Sequence, residues 1–207
     1  MGDLADLRWI GGGSGAGKST VASLLGTRHG LPVVETDLTL PQHADALRAE
    51  PRTRAFLDAT MDERWLLRDP AEMLASFPAF AGDGFPLLVE QLRARQQAGP
   101  AIVEGFRLLP RLVGPLLCDG GRAVWLLPTP GVRERALRER EAGRRFWDRT
   151  SDPERALANL LERDRLFTER VRAEAEELGL PTIEIDGSEP AVAVAARAAH
   201  LLGLEPA

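Results

Sequence analysis

The sequence predicts an α/β fold in which a five-stranded parallel sheet carries helices on both faces. Five short apolar runs alternate with segments of helical spacing along the 207 residues. Strands that are buried on both faces of a parallel sheet appear in sequence as such near-continuous apolar runs. A glycine-rich stretch directly after the first run fixes the end of the sheet at which ligands are expected, since they bind at the carboxyl ends of parallel strands.

The first strand, residues 7–10, leads into residues 12–19, GGSGAGKS, which we call the phosphate-binding loop. The spacing G-x-x-x-x-G-K-S between a strand and a helix is typical of a loop whose backbone N–H groups surround phosphates. Lys18 is expected to reach the terminal phosphates, and the Ser19 hydroxyl to ligate magnesium at the helix start. The predicted nucleotide-binding residues are Gly12, Gly13, Ser14, Gly15, Ala16, Gly17, Lys18, Ser19 and Thr20.

The lysine content argues against the alternative, a flexible glycine-rich turn. Among the 26 basic residues Lys18 is the only lysine, and the rest are arginines. The compact ammonium group of lysine fits among phosphates, and the planar guanidinium of arginine does not substitute for it there. Lys18 is therefore predicted to be catalytic.

The second strand, residues 33–36, ends at Asp37, and a mostly helical insertion follows over residues 38–99. A connection of that length usually does more than cross over, and five of the 11 aromatic residues lie in it, so we expect it to bind substrate. We expect the second strand beside the first, where Asp37 could accept a proton from a substrate hydroxyl. The alternatives are an aspartate that caps a helix or one that orders the water ligands of magnesium.

The third strand, residues 101–103, ends at Glu104 and Gly105. A carboxylate buried at the end of an apolar strand is costly without a cation, and a hydrated Mg²⁺ beside Ser19 would offset that cost. Ser19 and Glu104 are therefore the predicted metal ligands. An ion pair between Glu104 and Arg107 or another arginine is the alternative.

The last third of the chain predicts two more strands, residues 123–127 and 182–185, and three helices. Thr129 and Pro130 begin an arginine-rich helix over residues 131–142. A long helix runs from residue 153 to about residue 178, and Ser188 is expected to cap the closing helix.

Residues 131–165 are expected to form a lid that folds over the phosphates. Gly143 would act as its hinge, with Arg144 next to it, and the predicted catalytic cations are Arg145, Arg149 and Arg163. Surface pairing is the alternative, because residues 131–155 hold eight arginines and six acids.

Composition excludes several classes of protein. The net charge of −5 and pI near 5.4 argue against a general nucleic-acid surface. The lone Cys118 cannot form an internal disulfide, and the N-terminus has no signal-peptide pattern. The longest apolar stretch, residues 191–204, is too short to span a bilayer. We expect a cytoplasmic protein without a membrane segment, and a homodimer is left open.

With these residues in place, the chain resembles the P-loop nucleoside and nucleotide kinase superfamily. Glu104 and Gly105 are similar to the E-G of the uridine kinase, phosphoribulokinase, pantothenate kinase and 2-phosphoglycerate kinase group, and Asp37 matches the aspartate that acts there as base. The run EGFRLLPRL is also similar to bacterial proteins labelled only as P-loop ATPases. The resemblance implies one kinase-like domain over residues 1–207, with ATP and Mg²⁺ as cofactors.

The predicted function is transfer of the terminal phosphate of ATP to a hydroxyl of a small metabolite or antibiotic. The alternative is a nucleotide-dependent switch or ATPase module that acts on a protein partner. A GTPase is excluded because its N-K-x-D motif needs a second lysine, and an AAA-type motor would need an aspartate where the third strand offers Glu104.

The Lys18→Arg variant should lose turnover and keep its fold, because the guanidinium does not fit among the phosphates. Steady-state kinetics and circular dichroism test this. A variant that keeps more than about a tenth of wild-type activity, a barrier increase below ~1.4 kcal/mol, would contradict it.

Overall fold

A computed structural model describes residues 4–95, 99–117, 122–139 and 145–204. It confirms the five-stranded parallel sheet, with strand order β2-β3-β1-β4-β5. The strands are β1 (Leu7–Gly12), β2 (Val33–Glu35), β3 (Ala101–Glu104), β4 (Arg122–Pro128) and β5 (Thr182–Ile185).

The strand order corrects one expectation: β2 does not lie beside β1, because β3 is inserted between them. Ile10 of β1 and Glu35 of β2 both pair with Glu104 of β3. All four residues of β3 are buried, whereas β2 is only partly buried, so β3 suits the interior of the sheet and β2 its edge. Asp37 reaches the centre of the sheet's carboxyl edge through a 3₁₀ turn, Thr36–Thr39, and not through strand adjacency.

The helices of the described residues follow the predicted alternation with the strands. The insertion is divided into six short helices by prolines at helix starts and by two capping boxes, Thr60 with Glu63 and Asp69 with Glu72. The helices are α1 (Lys18–His29), α2 (Leu40–Ala46), α3 (Pro51–Asp58), α4 (Met61–Trp65), α5 (Pro70–Ser76), α6 (Pro78–Ala81), α7 (Phe85–Arg95), α8 (Pro110–Val113), α9 (Pro130–Arg138), α10 (Pro153–Glu177) and α11 (Ala191–Leu201).

The sheet separates two hydrophobic cores. Neighbouring residues of β1 point to opposite faces: Trp9 packs with α6, α7, α8 and α10, and Ile10 packs with α1 and α11. A third cluster, around Trp65 and Trp147, joins the insertion to α9 and the start of α10. The insertion and the region predicted as a lid therefore meet beside the carboxyl edge of the sheet.

The ends of β1 to β4 differ from the prediction by one or two residues, and two helix boundaries differ as well. Ser188 does not cap α11, which begins at Ala191; its N–H and hydroxyl donate instead to Asp186 at 2.8 Å and 2.6 Å. A local turn of this kind competes with helix capping for the same groups. Helix α9 ends at Arg138, and Cys118, Gly143 and Arg144 lie outside the described residues. A search of the described helices for one long and apolar enough to cross a membrane finds no candidate.

The Trp125→Phe variant should lose about 1–3 kcal/mol of unfolding free energy. The Trp125 indole N–H donates to the buried carbonyl of Leu108 at 2.7 Å, and the substitution leaves that carbonyl without its donor. Urea denaturation of both proteins measures the difference. A loss below about 0.5 kcal/mol would show that the bond does not hold the segment after β3 in place.

Candidate active site

Three glycines of the phosphate-binding loop, Gly12, Gly15 and Gly17, have a positive φ, a conformation that favours glycine over other residues. Gly12 has φ +118°, and a Cβ there would lie 2.0 Å from the Leu126 carbonyl oxygen of β4. Gly17 has φ +77° and precedes the first residue of α1. The Gly13 N–H donates to the same Leu126 carbonyl at 3.0 Å, so the loop is fastened to β4 on one side and opens into α1 on the other.

Lys18 lies inside this loop and is only 7% exposed. Its Nζ donates to the Gly13 carbonyl at 2.8 Å, across the loop. Burial lowers the pKa of Lys18, while the carboxylates of Asp37 and Glu104 act in the opposite direction. The cation of the loop is therefore placed between two carboxylates at the carboxyl edge of the sheet.

Ser19 and Glu104 are brought together by the adjacency of β1 and β3. The Ser19 hydroxyl donates to Glu104 Oε1 at 2.9 Å, and Glu104 is 2% exposed. Burial raises the pKa of Glu104, and the bond from Ser19 and the charge of Lys18 oppose that shift. Arg107, the alternative partner, instead contacts His43 Nδ1 at 3.2 Å and Thr39 Oγ1 at 3.1 Å.

Ser19 and Glu104 fit a magnesium ion by the chemistry of their oxygen atoms. Among the described residues there is no group of three or more His, Cys, Asp or Glu side chains that could hold a metal. Mg²⁺ does not need one, because it is usually bound by one or two protein oxygens together with phosphates and water. The metal-ligand roles of these two residues stay a prediction.

Asp37 faces the same space from the 3₁₀ turn. Its carboxylate accepts a hydrogen bond from the Phe106 N–H, and Thr36 donates to it at 3.5 Å. The turn packs so closely on Gly105 that a Cβ there would lie 2.0 Å from Thr36 Oγ1. Burial raises the pKa of Asp37, and the nearby charges of Lys18 and Arg107 oppose the shift.

A buried ion-pair triad, which sequence reasoning did not find, lies on the opposite side of the loop. Asp164 of α10 accepts from Arg133 of α9 at 2.6 Å through Oδ2 and from Arg163 at 2.9 Å and 2.6 Å through Oδ1. Burial alone would raise the pKa of Asp164, but the two arginines lower it. The only sequence feature that could have indicated this triad is the adjacent Arg163-Asp164 pair on the apolar face of a helix.

The loop, Asp37, Glu104, Arg133 and Arg163 line one cavity of about 590 Å³, whereas Asp164 and Arg107 are not among the described residues that line it. Leu40 also lines the cavity, and Arg163 lies 5.2–5.8 Å from three of its aromatic rings. Five aromatic rings complete its wall: Trp65, Phe77, Phe80, Phe106 and Phe146. Three of them come from the insertion, whose role in substrate binding stays a prediction.

The three predicted catalytic arginines occupy different environments. Arg163 lines the cavity, whereas Arg145 and Arg149 are not among the described residues that line it. Arg145 Nη2 donates to the Arg138 carbonyl at 2.7 Å, and Arg149 is exposed. The catalytic roles of these arginines stay predictions. Gly143, the predicted hinge of the lid, lies outside the described residues.

No family model and no curated protein matches this sequence. The fold is nevertheless shared with solved kinases. A shikimate kinase from Bacteroides thetaiotaomicron matches with a TM-score of 0.55 at 15% identity, covering 96% of this chain and 98% of that one. The shikimate kinase from Acinetobacter baumannii in complex with shikimate matches with a TM-score of 0.52 at 17% identity, covering 95% and 92%. The chain thus has a P-loop kinase fold.

The Asp164→Asn variant should be less stable at pH 7 by about 3–5 kcal/mol, because it leaves two buried arginines without their counter-charge. The folded-state pKa of Asp164 is lowered, so its contribution is complete above the unfolded-state value near ~3.9 and is lost as the pH falls through the folded-state value. The difference between the two proteins should therefore shrink under acidic conditions.

Urea denaturation at neutral and at acidic pH measures this. The matched control is Asp58→Asn, which removes the same charge from an exposed pair with Arg48 at 3.8 Å and should cost less than about 1 kcal/mol. Equal losses in the two variants would mean that the triad does not stabilise the fold.

Proposed function

We propose that the protein is an ATP-dependent kinase that transfers the terminal phosphate of ATP to a hydroxyl of a small molecule. The observation that carries this proposal is that the Asp37 carboxylate opens into the same cavity as Lys18 and the phosphate-binding loop. A nucleotide-dependent switch also needs a site for phosphates. It does not need an adjoining cavity that contains a carboxylate. The fold shared with shikimate kinases supports the same reaction class.

The residues present fit a bound nucleotide. Arg133 Nη1 is buried and has no hydrogen-bond partner among the described atoms. It lies 3.1 Å from the position that a Cβ on Gly15 would take, at the rim of the phosphate-binding loop. A buried donor without a partner is costly, and a phosphate oxygen in the loop would supply the missing acceptor.

Binding and orientation of the phosphates rest on the loop. Its backbone N–H groups and the α1 N-terminus hold the phosphates, and Lys18 would exchange its bond to the Gly13 carbonyl for a terminal phosphate oxygen. Ser19 and Glu104 would hold Mg²⁺, which when bound neutralises charge on the phosphate oxygens. Arg133 and Arg163 would stabilise the charge that spreads over the transferred group.

Asp37 would orient the acceptor hydroxyl and take its proton. Burial raises the pKa of this carboxyl, which makes the carboxylate a stronger base than an exposed aspartate. Lys18 and Arg107 oppose the shift and favour the ionised form that the reaction requires. Arg107 is itself held by His43 and Thr39, so its positive charge stays near Asp37.

The Asp37→Asn variant should transfer phosphate about 10²–10⁴-fold more slowly, because it keeps the size of the side chain and removes its basicity. Binding of ATP with Mg²⁺ should survive. Calorimetry measures the binding, and a screen of hydroxyl compounds with ADP detection and mass spectrometry of the product measures the transfer.

The matched variant is Glu104→Gln, which should raise the Mg²⁺ concentration needed for half-maximal activity. Unchanged transfer by Asp37→Asn would remove the assigned base. If slow hydrolysis of ATP is the only activity for every acceptor tested, the switch or ATPase module takes the place of the kinase.

A further inference from the structure

We infer that the acceptor is a neutral hydroxyl compound that carries a flat aromatic group. This inference rests on the proposed function and adds the substrate class. Three properties of the cavity support it: the aromatic wall, the way its cations are paired, and the small number of polar side chains at the acceptor end.

The aromatic wall is built from parts of the chain that are far apart in sequence. Phe77 lies between α5 and α6, Phe106 follows β3, and Phe146 lies in the 3₁₀ turn Phe146–Arg149. All three are only partly buried, although they belong to a continuous set of ring contacts. Phe77 is 6.2 Å from Phe106, and Trp65 is 4.8 Å from Phe146, between ring centroids.

Partly exposed rings that face one cavity form a surface onto which another ring can pack. Aromatic pairs gain energy beyond the area that they bury, and a hydrophobic cavity of about 150 Å³ already holds benzene. The cavity of about 590 Å³ therefore has room for one aromatic ring beside the terminal phosphate.

The charges at the acceptor end disfavour an anionic acceptor. Arg163 lies over the rings of Trp65, Phe77 and Phe80, at 5.2–5.8 Å, but its Nε and Nη2 are both bonded to Asp164. The remaining positive charge of the triad is that of Arg133, which lies against the phosphate-binding loop. Asp37, the negative group beside the acceptor, would repel a carboxylate substrate.

A polyhydroxylated acceptor is disfavoured by the same lining. Apart from the loop and the adjoining Thr20, the polar side chains among the described residues that line the cavity are Asp37, Glu104, Arg133, Arg163 and Trp65, which offers one indole N–H. Glu104 accepts from Ser19, and Arg163 donates to Asp164 through Nε and Nη2. The unpartnered Nη1 of Arg133 lies at the rim of the phosphate-binding loop, where the nucleotide would use it. Each buried hydroxyl without a partner costs about 1–3 kcal/mol, so one hydroxyl directed at Asp37 satisfies the site better than several.

The test compares phenylethanol with phenyllactate, which adds a carboxylate, and with inositol, which replaces the ring by hydroxyls. Phosphorylated product is followed by ³¹P NMR with ATP and Mg²⁺. We expect kcat/KM for phenylethanol to exceed the other two by at least about tenfold. Quenching of Trp65 fluorescence, absent in Trp65→Phe, reports binding independently of turnover.

Matched variants locate the acceptor on the wall. Phe77→Leu should raise KM for phenylethanol by about 2- to 12-fold and leave KM for ATP unchanged. Phe56→Leu removes the same atoms from a ring 5.1 Å from Phe77 that is not among the described residues lining the cavity, and it should change neither constant. Phe146→Leu, which changes another ring of the lining, is the second variant should Phe77→Leu fail to fold.

The outcomes separate this inference from the proposed function. Faster transfer to inositol or phenyllactate overturns the aromatic acceptor and leaves the kinase standing. A KM for phenylethanol that is the same in Phe77→Leu, Phe146→Leu and Phe56→Leu has the same consequence. Quenching by phenylethanol without transfer to any compound supports the aromatic site and contradicts the kinase. Absence of both quenching and transfer overturns both.

Discussion

Six charged side chains at the carboxyl edge of the sheet are almost removed from water: Lys18, Glu104, Arg107, Arg133, Arg163 and Asp164. Charges buried to this extent destabilise a fold unless each one meets a counter-charge or a strong hydrogen bond. The structure meets that constraint in two groups. Lys18 lies between Asp37 and Glu104, and Asp164 lies between two arginines. Strand β3, helix α9 and helix α10 must all occupy their observed positions for these charges to be compensated.

The same constraint determines how the cavity is divided. The phosphate end is polar because it already contains the buried charges, and the loop there is fastened to β4 through Gly12 and Gly13. The aromatic end lies beside α10, against which the insertion packs mainly through α5 and α4, and the rings of Trp65, Phe77 and Phe80 lie around Arg163 there. The polar end thus arises from the pairing of buried charges, and the aromatic end from the packing of the insertion on α10. Arg163 belongs to both, because it pairs with Asp164 and lies against the aromatic rings.

The sequence predicted those features that depend on local spacing. The loop, the five strands and the long helix ending before Gly179 all have short-range signals, and the structure confirms them. Strand order could not be predicted, because the placement of β3 beside β1 depends on burial across the whole sheet. Arg133 was missed for a similar reason: its partner, Asp164, lies 31 residues away on another helix. Arg145 and Arg149 were selected by clustering in sequence, which does not determine the direction of a side chain.

The lysine content also determines how this protein reacts with amine-directed reagents. With a single lysine in 207 residues, the only side-chain amine is the one held in the phosphate-binding loop, 7% exposed. Acylating labels and amine-coupled supports will therefore find only this buried amine among the side chains. A label on Lys18 reports that the reagent has entered the loop, and a ligand that blocks this entry can be followed by the loss of the label.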